Sequence, residues 1–360
     1  MNRDLPDDPA EATTMPIERP TAREGASTAE SPTVDTTRAA AAPTVEIRTA
    51  RTVRGSGPRC PGCDAENPGV PVCPACGLDL TDKWVALPPA EGAADRFEAD
   101  LGAVCLVTDR GIAHARNEDA VAAAVVEGEH GPHTTVIVVC DGVSTSSDPQ
   151  AASGSAVRAG VRACLRALER GLPATEAAVE GLSAASEAVR SIPTEEHNAP
   201  SCTYVSAIVR GAGGGAVDIT VANVGDSRAY WLAAPGAEQT GIPSQRLTVD
   251  DSWAQALVDA GAMDEQAAMN DPRAHTLLRW LGADTDERPW SDKAVRTFRA
   301  DTPGRLLLCS DGLWNYRPDA EQLAAIAAAD DPMAAARDLA DFAVRSGGND
   351  NITVAVAPIS

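Results

Sequence analysis

Beyond residue 96 the chain alternates short apolar runs with polar, glycine-bearing turns. Residues 101–107, 120–127, 135–140, 203–209, 217–224, 229–232, 294–298, 305–309 and 352–357 read as strands, being short, rich in Val, Ile, Leu and Ala, and bounded by turn residues. Residues 211–215 supply a glycine hairpin between two of them. Elsewhere the period changes. Val157, Val161, Cys164, Leu165 and Leu168 recur at i, i+3 and i+4, which predicts a helix with one apolar face. Residues 175–189 predict a second helix with Thr175 as its N-cap. Two more are expected at 319–328 and 332–345. Residues 193–200 read as a loop. Residues 250–295, with Trp253, Trp280 and Trp290, break the sheet pattern and read as an inserted flap. Two helices, a group of strands, two further helices and a last strand do not make a doubly wound parallel sheet. The order predicts an α+β fold, a four-layer α-β-β-α sandwich of two mostly antiparallel sheets.

Carboxylates stand at the edges of these apolar runs. Asn117-Glu118-Asp119 precedes one, Asp141-Gly142 follows another, and Ser310-Asp311-Gly312 follows a third. Asn349-Asp350-Asn351 opens the last. Buried carboxylates without a counter-charge are strongly disfavoured, so a repeated pattern of this kind implies a shared cation. All-oxygen ligand sets suit hard divalent ions such as magnesium or manganese. The pattern therefore predicts a carboxylate-bridged two-metal hydrolase centre.

Residues 1–58 are rich in Thr, Ala, Pro, Glu and Arg and poor in large apolar side chains, and read as a disordered tail. Its threonines (Thr13, Thr14, Thr33, Thr36, Thr37) are candidate phosphorylation sites. Residues 59–80 contain Cys60-Pro61-Gly62-Cys63 and Cys73-Pro74-Ala75-Cys76-Gly77. Paired C-x-x-C knuckles direct four thiolates to one tetrahedral centre, so Cys60, Cys63, Cys73 and Cys76 predict a structural Zn2+ in a short zinc-ribbon-like module. A rubredoxin-like iron site and a redox dithiol pair are the chemical alternatives. The metal would supply most of the folding energy of so small a module, whose role would be docking or regulation. Residues 81–96, including Leu87-Pro88-Pro89-Ala90-Glu91-Gly92, read as a linker, and 97–360 as the main domain.

The 360 residues carry a formal net charge of -22 and a pI near 4.5. That balance argues against nucleic acid or an anionic membrane as partner. Arg51, Arg54, Arg59 and Lys83 do not make a basic patch near the cysteines. No apolar run approaches a membrane span, and residues 1–10 lack the pattern of a secretory signal. Nine cysteines, five of them scattered through apolar runs, read as reduced thiols of a cytoplasmic protein.

The order of motifs resembles that of the metal-dependent serine/threonine protein phosphatases of the 2C type, in their compact bacterial form. The motifs are Thr108-Asp109-Arg110-Gly111, Arg116-Asn117-Glu118-Asp119-Ala120, Cys140-Asp141-Gly142-Val143, Asn223-Val224-Gly225-Asp226-Ser227-Arg228, Leu247-Thr248-Val249-Asp250, Ser310-Asp311-Gly312-Leu313-Trp314 and Gly348-Asn349-Asp350-Asn351-Ile352-Thr353-Val354. The resemblance implies two Mn2+ or Mg2+ ions, with Asp119 and Asp141 as bridging and first-metal ligands and the Gly142 carbonyl as a further one. It implies Asp311 and Asp350 as second-metal ligands, Asp226 with Asp311 at a third site, and Glu118 holding water in the outer shell. A water bridging the two ions would attack phosphoserine or phosphothreonine in line, with no cysteine or serine nucleophile, so Cys140 and Cys309 are expected to be packing residues. The partners implied are phosphoproteins of a Ser/Thr kinase system.

Three positions depart from the family pattern. His114 stands where relatives carry a phosphate-gripping arginine, and Arg116 is the candidate substitute. An imidazole is pH-sensitive and lacks the bidentate fork of arginine. Val143-Ser144-Thr145-Ser146-Ser147 follows Asp141-Gly142 in place of a glycine-rich turn, leaving Ser144 or a water to protonate the leaving group. Ser201-Cys202-Thr203 replaces Gly-Thr-Thr, where only a packing change is expected. The competing expectation is a weak or inactive pseudophosphatase that acts as a phosphoprotein-binding adaptor. A third makes the cysteine module the functional part. Independently of these, Asp226 has an alternative reading as a turn cap that orients Arg228, and Asp109 reads as a turn residue.

Overall fold

The computed structural model describes residues 65, 73–75, 83–88, 95–127, 133–194, 198–236, 241–286, 288–291 and 293–360. All of them fall in one unit, Ala42–Ser360. The 1–58 tail and Cys60, Cys63 and Cys76 lie outside the described residues, so the four-thiolate site does too. Cys73 is described and buried.

Two six-stranded antiparallel sheets make the core. In chain order the strands are β1 (Lys83–Ala86), β2 (Arg96–Asp100), β3 (Cys105–Asp109), β4 (Ala120–Val126), β5 (Thr134–Cys140), β6 (Ser201–Cys202), β7 (Tyr204–Gly213), β8 (Ala216–Val224), β9 (Arg228–Ala233), β10 (Gln245–Arg246), β11 (Leu281–Gly282), β12 (Val295–Ala300), β13 (Gly304–Cys309) and β14 (Ile352–Ile359). One sheet runs β1-β4-β5-β7-β8-β12 and the other β10-β9-β13-β14-β3-β2, with β11-β6 as a small third pair. The helices are α1 (Pro149–Glu169), α2 (Ala174–Arg190), α3 (Trp253–Asp259), α4 (Glu265–Met269), α5 (Asp311–Trp314), α6 (Ala320–Ile326) and α7 (Pro332–Ser346).

Period-two side-chain alternation explains why the central strands are apolar throughout: each divides its residues between two buried clusters. On β5, Val136, Val138 and Cys140 join a cluster with α1 and α2, while Ile137 and Val139 join a second with the other sheet. On β13, Leu306 and Leu308 enter that second cluster, and Leu307 and Cys309 enter a third with α5, α6 and α7. On β14, Ala355 and Ala357 alternate with Val354 and Val356 in the same way. The expected apolar face of α1 is present, with Val157, Val161, Cys164 and Leu165 buried.

Helix starts follow local chemistry. Asp148, Asp319 and Asp331 each accept a backbone N–H of the following first turn, and α1 and α7 carry proline at their beginnings. The expected Thr175 cap is corrected: the N-cap of α2 is Pro173, with no side-chain cap bond. The strand expected at 101–107 is corrected: residues 101–104 are a turn in which Leu101 N donates to Val104 O at 3.0 Å, only 105–107 belong to β3, and its partner β2 precedes the expected run. The stretch read as linker contains β1, which pairs with β4 in register Lys83↔Val126. Its sequence, KWVA, is too short to show a period, so the pairing was not legible. Within 250–295 the chain forms α3, α4 and β11.

Candidate metal centre

The sheets bring the four carboxylate motifs to one end. Asp119 immediately precedes β4, Asp141 immediately follows β5, and these strands are antiparallel neighbours with Ala120 opposite Cys140. Ser310 and Asp311 follow β13, whose partner β14 begins just after Asp350. Asp311 is therefore the first residue of the short helix α5 and not a strand tip.

Close backbone approach holds these loops together. A Cβ on Gly142 would lie 2.6 Å from the Pro149 carbonyl and 2.7 Å from that of Glu118, and one on Gly312 would lie 2.0 Å from the Asn351 carbonyl. Both positions demand glycine for space. The Asn351 side chain, 2% exposed, ties three segments. Its Nδ2 donates to the Arg110 and Arg116 carbonyls at 2.7 and 3.1 Å, and its Oδ1 accepts Glu118 N–H at 2.7 Å.

The carboxylates sense one another. Burial, reinforced by the charges of Asp350 and Asp311 and opposed by hydrogen bonds from Ser310 and Thr353, pushes Asp119 up to about 7. Burial and the Asp350 charge push Asp311 up to about 6, with Asp141, Asn315 and Arg228 pulling the other way. Burial and then the charges of Asp119, Asp311, Asp350 and Asp226 raise Asp141 well above the carboxylate range. Asp226 is raised by burial and by Asp311 and Asp250, against the cation of Arg228. Five acids within each other's field are costly in a low-dielectric site without positive charge.

The donor set fits a hard divalent cation. Asp119 Oδ2 accepts from Ser310 Oγ at 2.7 Å, while Asp119 Oδ1 is buried without a hydrogen-bond partner. Asp311 Oδ2 accepts from Asn315 Nδ2 at 3.1 Å, while Asp311 Oδ1 is likewise buried and unpaired. Orphaned buried carboxylate oxygens are rare in folded proteins, and these two are of the donor type that a hard divalent ion takes. Among the described residues no three such side chains stand closed into a ready ligand cage.

The remaining expected site residues are at the same end. Glu118 is buried, its Oε1 accepting from Arg116 Nε at 3.1 Å and its Oε2 from Ser144 Oγ at 2.7 Å. Arg116 is 56% exposed at its side chain and reaches solvent. His114 Nε2 lies 3.2 Å from Asp350 Oδ1. Asp109 is the last residue of β3 and not in the turn itself; its Oδ1 accepts Gly111 N–H at 2.8 Å and so caps the turn that follows. Cys140 and Cys309 are fully buried, and burial pushes both thiols up, which suits packing and not nucleophilic attack. Cys202 packs beside Cys140, and Thr203 Oγ1 meets both Asp141 N–H and Ser227 Oγ, at 3.0 and 2.7 Å.

Sequence reasoning missed a supporting cluster. Arg228 is oriented by Asp250 and not by Asp226: its Nε lies 3.1 Å from both Asp250 oxygens and its Nη2 donates to Oδ2 at 2.6 Å. Its guanidinium lies 3.5 Å over the Trp314 ring, whose Nε1 donates to the Asp226 carbonyl at 2.9 Å. The only signal was the presence of both residues among the motifs, and the pairing of positions 228 and 250 is a tertiary fact.

No family model matches the chain. It is 35% identical over 164 residues to the serine/threonine phosphatase stp of Listeria welshimeri serovar 6b, covering 44% of this chain and 56% of that protein. It is 31% identical over 256 residues to the serine/threonine protein phosphatase PstP of Mycobacterium tuberculosis, covering 70% of this chain and 44% of that protein. The chain thus spans about half the length of the curated relatives it matches. Among solved structures, the PPM Ser-Thr phosphatase MsPP of Mycobacterium smegmatis in complex with cacodylate superimposes with a TM-score of 0.55 at 26% identity, over 73% of this chain and 100% of that one. The catalytic domain of PstP in complex with two manganese ions gives 0.53 at 24%, over 71% and 98%. Over the part of the chain that superimposes, 73% of it in the first case, the fold is that of the PPM Ser/Thr phosphatases.

Proposed function

We propose that the chain is a metal-dependent phosphatase acting on phosphoserine and phosphothreonine in proteins. The observation that carries this reading is the convergence of Asp119, Asp141, Asp311 and Asp350 with two buried, unpartnered carboxylate oxygens. Similarity to serine/threonine phosphatases over 164 and 256 residues supports it. Asp119 and Asp141, with the Gly142 carbonyl, would hold one Mn2+ or Mg2+, and Asp311 and Asp350 a second; Asp226, beside Asp311, would serve a third. Such ions neutralise a phosphomonoester dianion and acidify water for attack on phosphorus.

The chain's own residues supply position and proton control. Ser310 fixes the Asp119 carboxylate, leaving one oxygen for the ion. Glu118, held between Arg116 and Ser144, is the buried acceptor nearest these groups by sequence and can take a proton from an attacking water. Arg116 is exposed enough to grip phosphate. Ser144, already donating to Glu118, can hand its proton to a leaving alkoxide and recover one along that bond. The three hydrophobic clusters support reading the domain as a four-layer α-β-β-α sandwich.

The four-cysteine module remains, on its spacing, a zinc-ribbon-like docking segment. The buried thiols Cys105, Cys140, Cys164, Cys202 and Cys309 support a reducing, cytoplasmic setting. Among the described residues no helix is long and apolar enough to cross a membrane. The adaptor reading draws on His114, whose Nε2 is already engaged by Asp350. Turnover separates the two readings. Repeated cleavage of a phosphothreonine peptide by catalytic amounts of protein supports the enzyme, whereas stoichiometric binding of the intact phosphopeptide would establish the adaptor.

A further inference from the structure

Asp350 keeps 40% of its side chain exposed and sits on a loop. Its backbone is well fixed. Ile112 N–H and Ala113 N–H donate to the Gly348 carbonyl at 2.7 and 3.1 Å. Gly111 approaches so closely that a Cβ there would lie 2.2 Å from the Asp350 carbonyl. Rotation of the carboxylate itself is a separate matter. Asp119 has Ser310 to hold one oxygen and Asp311 has Asn315. Asp350 Oδ1 accepts Asn351 N–H at 2.8 Å and stands 3.2 Å from His114 Nε2.

The Asn351 N–H anchors Oδ1, and the His114 ring stands at ion-pair distance from the same oxygen. His114 is itself held, because Arg110 Nη1 donates to its carbonyl from the same turn. We propose that His114 is a positioning residue that orients Asp350 for its metal ion, and that gripping phosphate falls to another group. This rests on the metal-site reading above. Partners of this kind typically change metal affinity about 10–100-fold when removed.

The test uses the full chain. Manganese affinity and stoichiometry are measured from the free Mn2+ resonance in electron paramagnetic spectra, for wild type, His114→Ala, His114→Gln and Asp350→Asn, with thermal unfolding of each as a check on folding. Steady-state turnover of a phosphothreonine peptide is measured at saturating manganese. The expected result is a roughly 10–100-fold weaker manganese site in His114→Ala, with most of the affinity restored by the glutamine amide, and an unchanged KM once metal is saturating. Wild-type manganese affinity in His114→Ala together with a raised KM would overturn the inference in favour of phosphate contact. Equal loss in the alanine and glutamine variants would also overturn it, since a donor at the Nε2 position would then not matter. A wild-type protein that binds no manganese would overturn the metal reading, and this inference with it.

Discussion

Replacing Asp250 with alanine leaves the Arg228 guanidinium, 2% exposed, without its counter-charge. Three short contacts to the carboxylate are lost; the Tyr230 hydroxyl at 3.2 Å, the Trp314 face and the more distant charges of Asp226 and Asp311 remain. Breaking one partner of a buried ion pair costs about 3–5 kcal/mol, because the survivor remains desolvated and unpaired. For a domain of this size about 1 kcal/mol moves the melting temperature by roughly 2–4 °C, so the variant should melt roughly 6–20 °C lower. Removing both charges is expected to be less harmful than removing one, since apolar replacement of a buried pair is often near neutral. Wild type, Asp250→Ala, Arg228→Met and the double variant therefore form a cycle, read by urea unfolding. The expected coupling is about 2–3 kcal/mol in favour of the double variant. Additivity within about 0.5 kcal/mol would refute the reasoning and leave Arg228 as an ordinary packing residue.

Asp311→Asn should abolish manganese-dependent hydrolysis and, by removing one of several converging charges, raise the melting temperature of the metal-free protein; loss of stability would contradict the repulsion argument. In EDTA the pH dependence has a definite sign. Asp119 and Asp311 bind protons more tightly folded (about 7 and about 6) than unfolded, so their contribution is complete below the unfolded value near 4 and is lost as pH rises through 6–7. The metal-free melting temperature should fall between pH 5 and 8, and a flat or rising profile would refute it. Truncation of residues 1–82 should leave turnover of a small phosphate ester nearly unchanged. Extending the deletion through 86 removes β1 and exposes the β4 edge, so melting should drop measurably, and equal stability of both truncations would deny β1 a structural role.

Most of the sheet was legible because both faces of each central strand are buried, so the strands appear as unbroken apolar runs. Helix α1 was legible from its 3.6-residue period, and α7 was expected within a residue of its bounds. The edges were not. KWVA in β1 and QR in β10 are too short to carry a period, and the pairing with β4 and β9 decides them. The turn between β2 and β3 hid inside one apolar stretch because Leu101 and Val104 are buried like strand residues. At the site, the carboxylates themselves were visible as costly residues beside apolar runs. What orients them was not. The bonds from Ser310 to Asp119, Ser144 to Glu118 and Asp250 to Arg228 join residues far apart in sequence, and only the fold selects those pairs.

The central claim is that the converging carboxylates hold divalent metal and that the metal drives phosphoester hydrolysis. The most direct measurement is phosphate release from a phosphothreonine peptide by the purified full chain, first with manganese, then with EDTA, then with manganese restored. The account predicts turnover that stops on chelation and returns on readdition. Turnover that survives EDTA, or a folded, manganese-loaded protein that releases no phosphate, would contradict it.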